Sequence, residues 1–115
     1  MNTPRTNVLI IADRPDGASA LCHRLESADA HIAGFEVLHP ALEPAEGISR
    51  LARGGVDVLL LDVTGSADAG LDTLRRARVE APGIPVVLVA PPGHDTLGAA
   101  ATEAGAQDVV SRDQL

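Results

Sequence analysis

Two acidic residues follow short apolar runs, in positions where their carboxylates could converge on one ligand. Asp62 comes directly after the run 56–61, and Asp13 follows the run 7–11 with Ala12 between them. If both runs are neighbouring parallel strands, their carboxyl ends meet at the sheet edge where such folds bind ligands. Two acids and backbone carbonyls suit Mg²⁺, and a carboxylate there can attack a phosphoryl donor. The alternative is that each Asp only begins a turn; the presence of two favours the first interpretation.

The order of apolar segments predicts the fold that would position these acids. Continuous apolar runs, typical of parallel strands covered on both faces, occupy segments 7–11, 35–38, 56–61, 85–90 and 106–111. Between them, apolar residues recur at helical spacing in segments 18–25, 48–52, 71–77 and 97–104. Gly105 is predicted to end the last of these helices in the left-handed conformation. The alternation predicts one α/β domain over residues 1–115, with a doubly wound five-stranded parallel sheet in the order 2-1-3-4-5.

Composition restricts the chemistry that the domain could perform. Phe35 is the only aromatic residue, so the core is predicted to be aliphatic and stacking on a nucleobase or flavin has no support. The net charge of −7 argues against direct nucleic-acid binding. Cys22 is the only cysteine, which rules out an intramolecular disulfide. No segment has the length and hydropathy of a signal peptide or membrane span, so we expect a cytoplasmic chain without membrane contact.

Four segments resemble the receiver domains of bacterial response regulators, in the order and spacing of that family. They read NVLIIADRPDGASALCHRL, DVLLLDVTGSADAGLDTLRRAR, IPVVLVA and AGAQDVVSRDQL, and they cover essentially the whole chain. The resemblance implies a flavodoxin-like fold and a receiver role in two-component signal transduction, with a histidine kinase or phosphotransfer protein as partner. It places Asp62 at the phospho-acceptor position, and Asp13, Asp62 and the Thr64 carbonyl at a Mg²⁺ site. It also implies a signalling module rather than an enzyme.

The sequence departs from the family's pattern at positions around this site. Ala12 replaces the first acid of the usual pair, and Ala90 stands where the family has Thr or Ser. Arg112 replaces the family's Lys, and a planar guanidinium is not equivalent to a compact ammonium. Ala90 and Arg112 are therefore degenerate versions of the phosphate-contacting residues. Val109 takes the place of an aromatic switch residue. We expect weak Mg²⁺ binding and an atypical receiver whose switch is impaired.

Two other functions stay open at this point. A pseudo-receiver would keep the fold as a protein-interaction or dimerisation module that works without phosphorylation. A small-molecule-binding flavodoxin-like domain would need a Gly- or Ser/Thr-rich loop after the first strand, and the segment ADRPDGAS is a poor match.

The end of the sequence carries a further expectation about association. The family's fifth helix would begin near residue 115, so this helix is expected to be truncated or missing. Half of one sheet face would then lie open, although parallel sheets are normally covered on both faces. The residues expected to meet water are Val8, Ile10, Val58, Leu60, Val109 or their neighbours. An exposed apolar patch favours association, so we expect either a homodimer through this face or a piece of a longer chain.

Overall fold

Parallel strands form one sheet at the centre of the protein. The structure, a computed structural model, describes residues 6–12, 23, 35–38, 40–64, 67–91 and 95–112. Within them the strands are β1 (Thr6–Ala12), β2 (Phe35–Val37), β3 (Val58–Asp62), β4 (Val86–Ala90) and β5 (Asp108–Ser111). All neighbouring strands are parallel, and their order is β2-β1-β3-β4-β5. The predicted doubly wound sheet and its strand order are confirmed.

Three helices are described between the strands: α1 (Pro44–Arg53), α2 (Ala67–Glu80) and α3 (Asp95–Glu103). Pro44 suits the first turn of α1, where its missing N–H has no helical partner to lose. Gly105 has a φ of +107°, which confirms the predicted left-handed end after α3. The helical repeat predicted over 18–25 lies outside the described residues, apart from His23, which is helical. No helix in the described ranges is long and apolar enough to cross a membrane.

Alternate residues of the strands contribute to two aliphatic clusters on opposite faces of the sheet. Leu9, Leu59 and Leu88 belong to the larger cluster, together with helix residues such as Leu74 and Leu97. The smaller cluster, on what we call the second face, contains Ile10, Ala12 and Val89. Partly buried Val37, Leu60 and Val110 pack against it. The period-two alternation of strand side chains therefore assigns each strand residue to one face.

The second face is less open than the sequence predicted. Val8 and Ile10 are buried, with 6% and 0% of their surface exposed, so the prediction that they meet water is wrong. Val58 and Leu60 are half-buried. Val109 is also half-buried but packs against the larger cluster, so here the prediction applies to a neighbour, as it allowed for each of these residues. Its neighbour Val110 is the β5 residue on the second face.

Candidate functional site

Asp62 ends β3 at the centre of the sheet edge. Its register partners are Ala12 at the end of β1 and Val89 near the end of β4. The backbone N–H of Val63 donates to the carbonyl of Val89 at 3.0 Å, which continues the pairing of β3 with β4 past the acid. Only 2% of the Asp62 surface is exposed. A buried carboxylate at the carboxyl end of a central strand is costly unless a charge or hydrogen bond compensates it.

Arg112 supplies that compensation from the end of β5. It follows Ser111 directly, and its Nη2 donates a hydrogen bond to Oδ1 of Asp62 as part of an ion pair. Because β4 lies between β3 and β5, the Arg112 side chain has to reach across one strand. The Asp62 side chain is fully buried, whereas 28% of the Arg112 side chain is exposed. The guanidinium thus neutralises the acid and itself borders solvent.

The other residues predicted for the site are Thr64, Asp13 and Ala90, and the structure does not bring all of them to Asp62. Thr64 follows β3 by two residues and is half-buried, close in the chain to Asp62. Asp13 lies outside the described residues, so its predicted place beside Asp62 stays a prediction. Ala90 is 3% exposed and belongs to the larger cluster. It follows Val89, the register partner of Asp62, so its side chain lies on the opposite face of the sheet from Val89. The structure therefore brings Asp62 and Arg112 together and packs Ala90 into the core.

A small cavity that the sequence did not predict lies beside Asp62. Its volume is about 50 Å³. Its lining is mostly apolar and consists of Ile11, Ala12, Pro44, Leu61, Asp62, Val63, Ala69, Gly70 and Thr73. The Thr73 hydroxyl donates to the carbonyl of Ala69 at 3.0 Å, so its proton is already used within α2. Pockets for drug-sized ligands and cofactors have volumes of roughly 300 Å³ or more, so this cavity is too small for a nucleotide or flavin.

The described residues do not fit a divalent cation in this conformation. No group of three acid, His or Cys side chains suited to a metal occurs among them. Ala12, beside Asp62 in the register, offers no oxygen from its side chain. The Asp62 carboxylate already accepts from Arg112. Mg²⁺ needs near-ideal octahedral oxygen ligation, which Asp62 by itself does not supply. The predicted set of Asp13, Asp62 and Thr64 stays a prediction.

The chain belongs to the response regulator receiver domain family. The model of this family matches residues 8–114, which include both Asp62 and Arg112. The match agrees with the parallel sheet and with a buried acid at the end of its third strand. No curated protein matches the chain significantly.

Solved structures of low sequence identity share this fold. A CheY-like receiver domain protein from Methanospirillum hungatei is 20% identical, with a TM-score of 0.75 over 95% of this chain and 82% of that chain. The pilus assembly protein CpaE from Burkholderia thailandensis is 19% identical, with a TM-score of 0.74 over 94% and 86% of the two chains. A Burkholderia pseudomallei response regulator, solved with a phosphorylated aspartic acid, calcium and citrate, is 19% identical, with a TM-score of 0.74. The match covers 93% of this chain and 59% of that regulator.

Proposed function

We propose that this domain is a two-component receiver in which Asp62 accepts the phosphoryl group, and in which the residues that switch the domain's output on phosphorylation are impaired. The observation that carries this function is the position of Asp62. It is a buried carboxylate at the end of central strand β3, and it forms an ion pair with the Arg112 guanidinium. Such a group sits where doubly wound sheets hold their ligands. Arg112 has several planar N–H donors, which suit phosphoryl oxygens as well as a carboxylate.

The reaction is a phosphoryl transfer from nitrogen to a carboxylate oxygen. An Asp62 oxygen attacks the phosphorus of a phosphohistidine on a kinase or phosphotransfer protein, forming a P–O bond while the P–N bond breaks. The leaving imidazole nitrogen keeps the electron pair and takes a proton. Because the Asp62 side chain is fully buried, a donor can approach only after the groups that cover this acid move aside. We therefore expect phosphorylation to be slow and incomplete.

Intact-mass measurement tests the acceptor. The chain is incubated with phosphoramidate and Mg²⁺, and we expect partial addition of one phosphoryl group. Asp62→Asn should remove this addition, because the amide cannot form an acyl phosphate. Asp72→Asn is a matched control, since Asp72 is an exposed acid on α2 and its substitution should leave the addition unchanged. Addition that persists in Asp62→Asn would show that another residue is the acceptor.

The impaired output has its own physical basis. Ala90 has no hydroxyl that could turn toward a phosphoryl oxygen, and it is packed into the larger cluster. Val109 is half-buried and packs against that cluster, so no exposed aromatic ring at this position can change rotamer. Without differential contacts between two states, a ligand cannot shift their populations. We expect small amide chemical-shift changes along β4 and β5 on phosphorylation, and large changes there would contradict impaired switching.

A second candidate is an interaction module that works without phosphorylation. It is favoured by the burial of the Asp62 side chain and by its ion pair with Arg112, which leave the acid neutralised. This candidate predicts no mass addition with any donor and unchanged partner binding in Asp62→Asn. Small-molecule binding has less support at Asp62 itself, because the cavity beside this residue is only about 50 Å³. We place either module in the cytoplasm, as the sequence predicts.

A further inference from the structure

We propose that the cavity beside Asp62 seats one aliphatic side chain of a partner protein, presented between basic residues. This interaction involves no phosphorylation and goes beyond the proposed function. The observation behind it is a mostly apolar cavity of about 50 Å³ between α1 and α2. A cavity of this size excludes a cofactor. It has room for a few carbon atoms, since one water needs only about 10–15 Å³.

The cavity lies at the solvent end of the larger cluster. Ile11, Leu61 and Val63 line it and belong to that cluster. Pro44 of α1 and Ala69 of α2 also line it and are exposed, so the cavity opens between the first turns of the two helices. An aliphatic group that enters from this side would continue the aliphatic core and lose its contact with water.

The residues that α2 contributes leave the cavity open and offer little to a polar ligand. Gly70 has no side chain, and a methyl group built on it would overlap Val63. The Thr73 hydroxyl donates to the carbonyl of Ala69 at 3.0 Å, so its proton is not offered to a ligand. A bound water needs several polar partners, whereas this lining is mostly apolar. A carbon group is therefore the better occupant.

The surroundings of the opening determine the charge of the partner. An exposed acid directly precedes each of the lining residues Pro44, Ala69 and Thr73. These acids are Glu43, Asp68 and Asp72. Leu42, of which 42% is exposed, lies two residues before Pro44 and adds an apolar contact. An aliphatic side chain between basic residues is complementary to this surface, and an apolar anchor in a pocket with a polar rim is how interfaces concentrate their binding energy.

Titration of the full chain with short peptides tests the cavity. The probe is acetyl-Lys-Leu-Lys-amide, and binding is followed by NMR through the methyl signals of Ile11 and Val63. We expect weak binding, with NOE contacts between the peptide's leucine methyls and Val63. The same peptide with Ala in place of Leu should bind about tenfold more weakly, because it buries less apolar surface. The peptide with Glu in place of Lys should also bind more weakly, and this difference should shrink at high salt.

Two substitutions at one lining position supply a matched control. Thr73→Ile places an ethyl group where threonine has its hydroxyl, so it should fill the cavity and weaken binding of the leucine peptide by about tenfold. Thr73→Val places only a methyl group there, so the cavity should stay open and binding should be unchanged. If Thr73→Ile fails to fold by circular dichroism, Ala69→Leu at the exposed edge of the cavity replaces it as the blocking variant.

The proposal is overturned if the leucine and alanine peptides bind equally, or if a folded blocking variant binds the leucine peptide as tightly as the wild type. Equal binding of the lysine and glutamate peptides also overturns it, because the partner would then not be basic. Loss of binding in the blocking variant but not in Thr73→Val supports it. These results do not depend on whether Asp62 accepts a phosphoryl group.

Discussion

The ion pair at the sheet edge is asymmetric, because its two members differ in contact with water. The Asp62 side chain is fully buried, and 28% of the Arg112 side chain is exposed. Removing one member of a buried pair leaves the other charge in a poor environment. The cost of each removal should therefore depend on how readily the remaining group can reach solvent.

Substitutions at this pair should destabilise the fold to different degrees. Arg112→Gln leaves a buried carboxylate without its guanidinium, so we expect a loss of about 3 kcal/mol in the free energy of unfolding. Asp62→Asn leaves a guanidinium that can turn toward water, so we expect a loss of about 1 kcal/mol. Urea unfolding measures both values, with Arg76→Gln as a surface control expected within about 0.5 kcal/mol of the wild type. Equal losses at the two positions would contradict this asymmetry.

At the scale of elements, the packing of α1 on β1 helps to shape the candidate site. Gly47 of α1 is buried, and a methyl group built on it would overlap the side chain of Ile11 in β1. Ile11 and Pro44 both line the cavity beside Asp62. The missing side chain at Gly47 therefore allows α1 to approach the strand that ends at Ala12.

Gly47→Ala should destabilise the domain although alanine favours helices. The clash with Ile11 should cost about 1–3 kcal/mol, and helix propensity should return at most about 1 kcal/mol. We expect a net loss by urea unfolding, and we expect Ile11→Val to reduce this loss in the double variant because it removes Cδ1, one of the two Ile11 carbons that overlap the added methyl. Gly83→Ala is the control, since a methyl group there meets nothing within 4 Å. A Gly47→Ala variant at least as stable as the wild type would show that the helix can shift without cost.

At the scale of the whole molecule, the second face remains the surface for which the sequence predicts association. Ile10 and Val89 at its centre are fully buried, whereas Leu60, Val87 and Val110 around them are half-buried. Leu60 and Val87 are register partners, so their side chains lie on the same face. The exposed large hydrophobic residues in the described ranges are Leu42 and Val79, neither of them on this face, so association of two copies through it across a two-fold axis stays a prediction from the sequence.

We expect the chain to sediment as a dimer at micromolar concentration, and Val87→Lys to shift it to monomer by placing a charge on this face. Val79→Lys is the matched control, because Val79 is 82% exposed on α2, which belongs to the layer on the other face. The control should remain dimeric. A wild-type chain that stays monomeric and binds no ANS would show that the face takes no partner.

Local sequence alone determined much of this protein. The continuous apolar runs and helical repeats predicted the strands, the three described helices and the sheet order, because each feature depends on periodicity and on the rules of parallel connections. The near absence of aromatics predicted an aliphatic core. The apolar run ahead of Asp62 predicted that this acid ends a central strand. The glycine after α3 predicted the left-handed residue at Gly105, whose φ is +107°.

Only the tertiary structure decided which side chains meet. A strand side chain changes face with every residue, so the sequence could name only Val109 or a neighbour for the second face, and the structure assigned Val110. The burial of Val8 and Ile10 and the cavity beside Asp62 depend on distant segments that no local pattern specifies. The reach of Arg112 across β4 to Asp62 depends on strand register and side-chain length together. For that reason the ion pair at the centre of the candidate site is a property of the folded chain.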